Sequence, residues 1–327
     1  MKLYRAGSIV SRETIFYERV WLSMEKKIYQ VDAFTERCFG GNPAAVVPDA
    51  NGLDEYQMQK IAREMNLSET AFVFSSEGEG YDYHIRFFTP NQEVDLCGHA
   101  TIAAFHVLCH EKYIAASSDK KTIKQKTKAG ILPVELYFSE AVLESVMMTQ
   151  ASPRFIHQSI DLEELAEVMN INRNNIGLEN VSIIPKIVST GLPDIILPMK
   201  TLSALKEIQP KYEKLTAFSN KTGVVGVHAF TLETEEKTST LACRNFAPAA
   251  GINEEAATGT SNGALGAYLV KNNIMSLEET KTIICEQGYY MNRPSKITVR
   301  IEGTKDDMTV KVGGKAVIVL EGRIKLT

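Results

Sequence analysis

Two stretches of this chain are built alike: Asp95-Leu96-Cys97-Gly98-His99-Ala100-Thr101-Ile102-Ala103-Ala104 and, 161 positions later, Ala256-Ala257-Thr258-Gly259-Thr260-Ser261-Asn262-Gly263-Ala264-Leu265. In each, a glycine turn leads into small residues that favour a helix. A glycine at the start of a helix leaves the first backbone N–H groups open to an anion. The repeat therefore predicts two helix N-termini that hold one anionic substrate between them and stabilise the negative charge left when a proton leaves carbon.

The pattern around these turns also repeats. The segment Gly41-Asn42-Pro43-Ala44 recurs as Gly191-Leu192-Pro193-Asp194, and Glu69-Thr70-Ala71-Phe72 matches Val227-His228-Ala229-Phe230. Alternating β-branched and aromatic residues predict strands on both sides of each turn. We therefore expect an α+β fold of two similar halves, with the active site in the cleft between them.

The boundaries follow from the same pattern. We expect an N-terminal domain over residues 24–150 and a C-terminal domain over residues 151–327, with the final strand able to pack back on the first domain. Residues 1–23 precede the first strand pattern and are interrupted by charges, so they do not form the apolar core of a secretory signal. They are either a leader outside the core or a docking arm.

Composition excludes several classes of protein. A net charge of −4, with Lys and Arg spread along the chain, gives no basic surface for nucleic acid. No run approaches the ~18 apolar residues of a membrane span. The five cysteines contain no CxxC pair, which argues against a zinc cage or a disulfide framework. A cytoplasmic enzyme that acts on a small molecule fits best.

Glu69 is the candidate base in the first half. It lies in Asn66-Leu67-Ser68-Glu69-Thr70, between an apolar helix and the apolar strand that begins at Ala71. Partial burial there would raise the pKa of the carboxylate toward the working pH and make it a better proton shuttle. The alternative is an ordinary exposed glutamate at a corner between helix and strand.

Several short motifs together resemble the PhzF-like family of phenazine-biosynthesis isomerases. The similarity runs in order from about Ile28 to about Leu320 and rests on Tyr29-Gln30-Val31-Asp32-Ala33-Phe34, Gly40-Gly41-Asn42-Pro43-Ala44-Ala45-Val46, Asn66-Leu67-Ser68-Glu69-Thr70, Arg86-Phe87-Phe88-Thr89-Pro90, Cys97-Gly98-His99-Ala100-Thr101, Gly251-Ile252-Asn253-Glu254-Glu255-Ala256-Ala257-Thr258-Gly259-Thr260, Gln287-Gly288 and Arg293-Pro294-Ser295. The resemblance implies a diaminopimelate-epimerase-like fold, in which two similar domains each wrap a sheet around a central helix. It also implies a homodimer.

The resemblance implies an isomerase that moves a proton on a small cyclic carboxylate, such as a dihydro-hydroxyanthranilate ring, without a metal or an organic cofactor. By motif, Glu69 resembles the family's catalytic acid/base and His99 its site histidine. By motif, Glu255 resembles the family's second catalytic acid. Glu255 and Thr260 stand where the family usually has Asp and Ser, which puts the identity of the substrate in doubt more than the type of reaction. The expected substrate-binding residues are Gly98, Ala100, Thr258, Gly259 and Thr260.

Two alternatives stay open. Epimerases and racemases of the same fold use two opposed thiols, but here Cys97 occupies the first position and Thr258 the second, and a hydroxyl is far too weak an acid to replace a thiolate. Cys97 is either a reactive thiol or a small buried residue at a tight helix start. The other alternative is a catalytically silent binding protein on this scaffold.

Overall fold

Strands and short helices alternate along both halves of the chain. The structure is a computed structural model, and it describes residues 24–326 apart from 77, 79, 180 and 279–281. The first half contains β1 (Met24–Ala33), β2 (Asn42–Val47), α1 (Glu55–Met65), β3 (Glu69–Ser75), β4 (Tyr83–Phe88), β5 (Glu93–Val94), α2 (Gly98–His110), β6 (Lys120–Thr127), β7 (Gly130–Ser139) and β8 (Val142–Thr149). The second half contains β9 (Arg154–Ile156), α3 (Leu162–Met169), β10 (Lys186–Ser189), β11 (Pro193–Pro198), α4 (Leu202–Lys206), α5 (Tyr212–Thr222), β12 (Gly226–Thr231), β13 (Leu241–Ala247), β14 (Ile252–Glu255), α6 (Gly259–Lys271), β15 (Ile283–Gln287), β16 (Ser295–Gly303), β17 (Met308–Gly314) and β18 (Ala316–Leu326). The predicted leader, residues 1–23, lies outside the described residues, and both interpretations of it stay predictions.

Two central helices, α2 and α6, begin at the two glycine turns, as the sequence predicts. Each is buried on nearly all sides, which explains why neither sequence shows a polar helical stripe. Small residues let the surrounding sheet approach α6 closely: a Cβ at Gly266 would lie only 2.9 Å from the Val299 side chain. The core of each half is therefore a sheet wrapped around one helix.

The strand pairing repeats between the halves. In the first, β1–β2 is antiparallel, β2–β3 parallel, β3–β4 antiparallel and β4–β6 parallel. In the second, β10–β11, β11–β12, β12–β13 and β13–β15 pair in the same senses. The α+β fold of two similar halves is confirmed by this repeated order.

The strand register corrects one predicted correspondence by a single residue. In the parallel pairs, Ala44 lies opposite Glu69 and Asp194 lies opposite Gly226. Glu69 therefore corresponds to Gly226 and not to Val227. Matching the phenylalanines of the two segments suggested the wrong register, and a shift of one residue moves every side chain to the other face of a sheet.

Strand pairs and hydrogen bonds of Arg293 join the two halves. The last strand, β18, pairs with β1, and β8 pairs with β17, so one continuous sheet runs through both halves. Arg293 donates to Asp32 at 2.8 Å and to the carbonyl oxygens of Gly40 and Gly41 at 2.6 and 2.8 Å. Because the sheet is shared, the division into domains at residue 150 stays a prediction.

Two expectations from composition can be compared with the described residues. No helix among them is long and apolar enough to cross a membrane. All five cysteines are free thiols.

Candidate active site

The N-termini of α2 and α6 meet at one cavity. Gly98 and Thr260, from the first turn of each helix, both line a cavity of about 550 Å³ between the halves. The side chains of the two N-cap residues, Cys97 and Thr258, form no capping hydrogen bond to any described residue of their helices. The two positive helix ends therefore converge on a space of the size that small-molecule ligands occupy.

The cavity has an apolar wall and several polar groups. The apolar part suits a ring, and the polar groups suit its substituents. Its apolar lining residues include Leu96, Leu132, Pro133, Met148 and Leu192, and its polar ones include Asp95, Gln125, Thr149, Gln150, Thr190 and Thr260.

An acid–base pair lies beside the start of α2: His99 follows the cavity-lining residue Gly98, although neither Glu69 nor His99 itself lines the cavity. The Nε2 atom of His99 is 3.1 Å from a carboxylate oxygen of Glu69, and the side chains are 8% and 18% exposed. The Sγ atom of Cys97 lies 3.4 Å from Nδ1 of the same imidazole. Strand β3 begins at Glu69, and α2 carries His99 immediately after Gly98, so the sheet and the central helix bring together residues that are 30 positions apart.

The contact with His99 reverses the predicted shift of Glu69. Burial alone raises the pKa of Glu69, but the hydrogen bond and charge of His99, with a hydrogen bond from Cys97, bring that pKa below its ordinary value. Burial disfavours a charged imidazole, yet Cys97 and Glu69 hold the pKa of His99 well above its ordinary range. The expectation of a raised Glu69 pKa is therefore wrong, because the neighbouring imidazolium outweighs desolvation.

Glu255 joins this pair from the second half. It is partly buried, and desolvation with the nearby Glu69 charge raises its pKa, although His99, Asn42 and Thr258 act in the opposite direction. The side-chain amide of Asn42 donates to Glu255 at 2.8 Å and lies 3.4 Å from Nδ1 of His99. The two carboxylates therefore have pKa values shifted in opposite directions, which is typical of groups that divide acid and base roles.

Two supporting residues were not identified as site residues from the sequence. Asn42 also donates to the carbonyl oxygen of Ala257 at 3.1 Å. Gln287 donates to the Glu255 carbonyl oxygen at 2.7 Å and accepts from the backbone N–H of Thr258 at 3.2 Å. Both lie in motifs of the family resemblance, which was the available signal for them.

Three other predicted binding residues, Ala100, Thr258 and Gly259, are not among those that line the cavity. Thr258 contacts Glu255 through its hydroxyl at 3.3 Å. The Ala100 side chain is fully buried in the core of the first half, so any contact with a substrate would come from its backbone. A Cβ at Gly259 would lie 3.3 Å from the Val312 side chain, a tight contact that a small shift of that side chain would relieve.

Glu69, Cys97 and His99 also form a set of metal-ligating atoms. One such atom from each lies within 4.8 Å of the others. Burial and the Glu69 charge raise the pKa of the Cys97 thiol to about 11, so a metal would have to displace its proton. The absence of a metal from the reaction stays a prediction.

Comparison with known proteins places these features in context. Residues 31–322 match the model of a family described as phenazine biosynthesis-like protein. An uncharacterised isomerase of Clostridium acetobutylicum is 40% identical over 303 residues, covering 91% of this chain and 98% of the relative. The trans-2,3-dihydro-3-hydroxyanthranilate isomerase of Pseudomonas chlororaphis is 32% identical over 297 residues, covering 90% and 98%.

Solved structures extend the likeness to the fold. A PhzF-family phenazine biosynthesis protein of Bacillus anthracis has a TM-score of 0.82 at 31% identity, covering 92% of this chain and 99% of the other. A hydroxyproline epimerase of Agrobacterium vitis has a TM-score of 0.61 at 11% identity, covering 92% and 93%, which is a likeness of fold alone.

Proposed function

The chain belongs to the phenazine biosynthesis-like family and is an isomerase, and on that premise we propose that it moves a proton between two carbons of a small cyclic carboxylate, with Glu69 as the general base. The observation that carries this proposal is the buried Glu69–His99 contact at 3.1 Å, one residue from the helix start at Gly98. A base beside a helix N-terminus can remove a proton while the helix end stabilises the resulting negative charge.

The proposed reaction needs no change in the composition of the substrate. Glu69, charged at neutral pH, takes a proton from a carbon next to a double bond. The electron pair of that C–H bond moves into the ring and shifts the double bond, and the proton returns to a different carbon. The carboxylate of the substrate would lie near Gly98 and Thr260, where the two helix dipoles are positive.

His99 and Glu255 have supporting roles in this proposal. The charged His99 orients Glu69 and keeps it ionised, since each side chain favours the charged form of the other. Glu255, held by Asn42, stabilises the charge of the imidazole. Gly98, Ala100, Thr258, Gly259 and Thr260 are proposed to bind the substrate, Ala100 through its backbone.

The proposed substrate class rests on the name of one relative and on the lining of the cavity. The Pseudomonas chlororaphis relative is named for a dihydro-hydroxyanthranilate substrate, and the cavity here combines an apolar wall with two helix N-termini. A homodimer, which the family resemblance implies, and a cytoplasmic location, which the composition favours, belong to the same proposal. The five free thiols fit a reducing compartment, and light scattering measures the oligomeric state.

The two alternatives predict different chemistry. A two-thiol racemase needs a second thiol opposite Cys97, but the equivalent N-cap position of α6 is Thr258. A silent binding protein would bind the ring carboxylate without exchanging its protons with solvent.

Solvent deuterium exchange tests the proposal. The wild type should incorporate deuterium from D₂O into trans-2,3-dihydro-3-hydroxyanthranilate or a related cyclic carboxylate, as followed by NMR. Glu69→Gln keeps the shape of the side chain but removes the basic oxygen, so turnover should fall by about 100- to 10,000-fold. Binding of the carboxylate should persist.

A matched variant separates this effect from a general loss of structure. Glu64→Gln makes the same chemical change on an exposed position of α1, and we expect wild-type exchange from it. Exchange at the wild-type rate in Glu69→Gln would exclude Glu69 as the base. No exchange in the wild type, with binding intact, would favour the silent binding protein.

A further inference from the structure

One polar group on the cavity wall finds no partner. The side chain of Gln125, on β6, lines the cavity between the helix ends and is 1% exposed. Its carbonyl oxygen accepts no hydrogen bond from any described residue. A buried carbonyl that lacks a donor costs about 1–3 kcal/mol, so such a group calls for an explanation.

Four other residues that line this cavity supply no donor to Gln125. Leu132, its cross-strand partner on β7, lines the same cavity, as do Pro133, Met148 and Ala129. Leu132, Pro133 and Met148 present only apolar side chains, and Ala129 directs its backbone N–H to Asp95 and Thr127. A ring that packs on this wall would bring its own substituents toward Gln125.

We propose that Gln125 is a specificity-determining residue: its side-chain oxygen, which has almost no surface open to the cavity in the free protein, turns toward the cavity and accepts a hydrogen bond from an N–H or O–H group on the substrate. The inference rests on the proposed function, because it takes the carboxylate of the substrate to lie at the N-termini of α2 and α6. The enzyme then recognises two features at once, a carboxylate at the helix ends and a donor substituent on the ring. A ligand without the donor leaves the oxygen of Gln125 unpaired and binds more weakly.

Substrate recognition by Gln125 and support of the fold by Gln125 predict different effects of mutation. If Gln125 supported the fold, its replacement by an apolar residue would lower stability. If its oxygen is unpaired in the free protein, Gln125→Met, which is similar in shape, removes the buried polar group and leaves the melting temperature unchanged or higher. The same variant should lose affinity only for ligands that carry the donor.

Three simple ring carboxylates serve as probes: benzoate, which has no donor substituent, 2-aminobenzoate and 3-hydroxybenzoate. Calorimetric titration should show that the wild type binds at least one of the two substituted probes about 10-fold or more tightly than benzoate. Gln125→Met should reduce this preference by about 10-fold, while its affinity for benzoate stays within about 2-fold. Leu132→Met changes the same wall without a hydrogen-bonding group and should keep the preference.

Each of these measurements can contradict the proposed role of Gln125. A wild type that binds the three probes equally, or binds none of them, overturns the role of Gln125. A Gln125→Met variant that loses benzoate affinity equally, or melts several degrees lower, overturns it as well. Deuterium exchange with Glu69→Gln tests the proposed reaction separately, so the failure of either idea is distinguished from failure of the other.

Discussion

The side-chain amide of Asn42 donates a 2.8 Å hydrogen bond to a carboxylate oxygen of Glu255, which lies 213 positions later in the chain. Asn42 is the first residue of β2, in the first half, and Glu255 is the last residue of β14, in the second. The same amide reaches the Ala257 carbonyl oxygen at 3.1 Å. One side chain thus sets the position of the two halves against each other at the candidate site.

Asn42→Ala should raise the pKa of Glu255 further. The hydrogen bond favours the charged carboxylate, and burial already raises the pKa of Glu255. Losing a hydrogen bond to a charged group costs about 1.5–3 kcal/mol, so turnover should fall by roughly 10- to 100-fold. NMR titration of labelled glutamate carboxyl carbons, with Asn91→Ala as an exposed control, measures the shift; an unchanged or lower pKa contradicts the prediction.

His99→Gln should show how the Glu69–His99 pair contributes to stability at different pH. The folded protein holds the pKa of His99 well above its unfolded value, so its stabilising effect is complete below that unfolded value. It is lost as the pH rises through the folded pKa. The difference in free energy of unfolding between wild type and His99→Gln, from urea denaturation, should therefore be smaller at about pH 9 than at about pH 6. A difference that stays constant or grows with pH would argue against a charged His99.

Asp194 should also make stability fall as the pH rises, but in a more acidic range than His99. It is fully buried, accepts hydrogen bonds from the Ser261 hydroxyl and the Gly226 backbone, and burial with the Glu255 charge raises its pKa to about 6. A raised carboxylate pKa means that the wild type loses stability as pH rises from about 4 to about 6, by roughly 3 kcal/mol for a shift of about two units.

Asp194→Asn tests this, because the amide keeps an acceptor for Ser261 but does not ionise. Its stability relative to the wild type should improve by roughly 3 kcal/mol as the pH rises from about 4 to about 7, as measured by urea denaturation. Parallel curves for the two proteins would show that Asp194 does not titrate in this range.

The glycine turns and the capping residues account for most of what the sequence predicts about the fold. The α1 helix ends at Asn66 in the left-handed region, because asparagine tolerates positive φ. Asn292 adopts the same conformation for the same reason. The helices α3 and α5 were not predicted, although Asp161 caps α3 and Gly223 ends α5.

The electrostatics of the site depend on contacts that the sequence pattern does not contain. The local surroundings of Glu69 predict burial, but the direction of its pKa shift comes from His99, 30 positions away. The two similar halves also differ at the position of Glu69. The counterpart of Glu69 is Gly226, where a Cβ would lie 2.0 Å from the Phe246 carbonyl oxygen, so the second half has no room for an equivalent carboxylate.

Cys97→Ala separates the proposed acid–base mechanism from a thiol mechanism. Burial and the charge of Glu69 raise the pKa of Cys97 to about 11, so at neutral pH it is a protonated thiol and a poor nucleophile or base. In the proposed reaction Cys97 transfers no proton; its thiol lies 3.4 Å from Nδ1 of His99 and forms a hydrogen bond to Glu69. Cys97→Ala should therefore keep deuterium exchange within about 10-fold of the wild type, since general acid–base groups contribute about 100-fold or more.

The thiol itself provides the control. Iodoacetamide should modify Cys97 slowly near neutral pH, and exposed Cys38 should react first, as mass spectrometry of the labelled peptides would show. If Cys97→Ala instead loses exchange as severely as Glu69→Gln while the protein stays folded, the thiol takes part in proton transfer, and a reaction that pairs Cys97 with Glu69 or His99 would replace the one proposed.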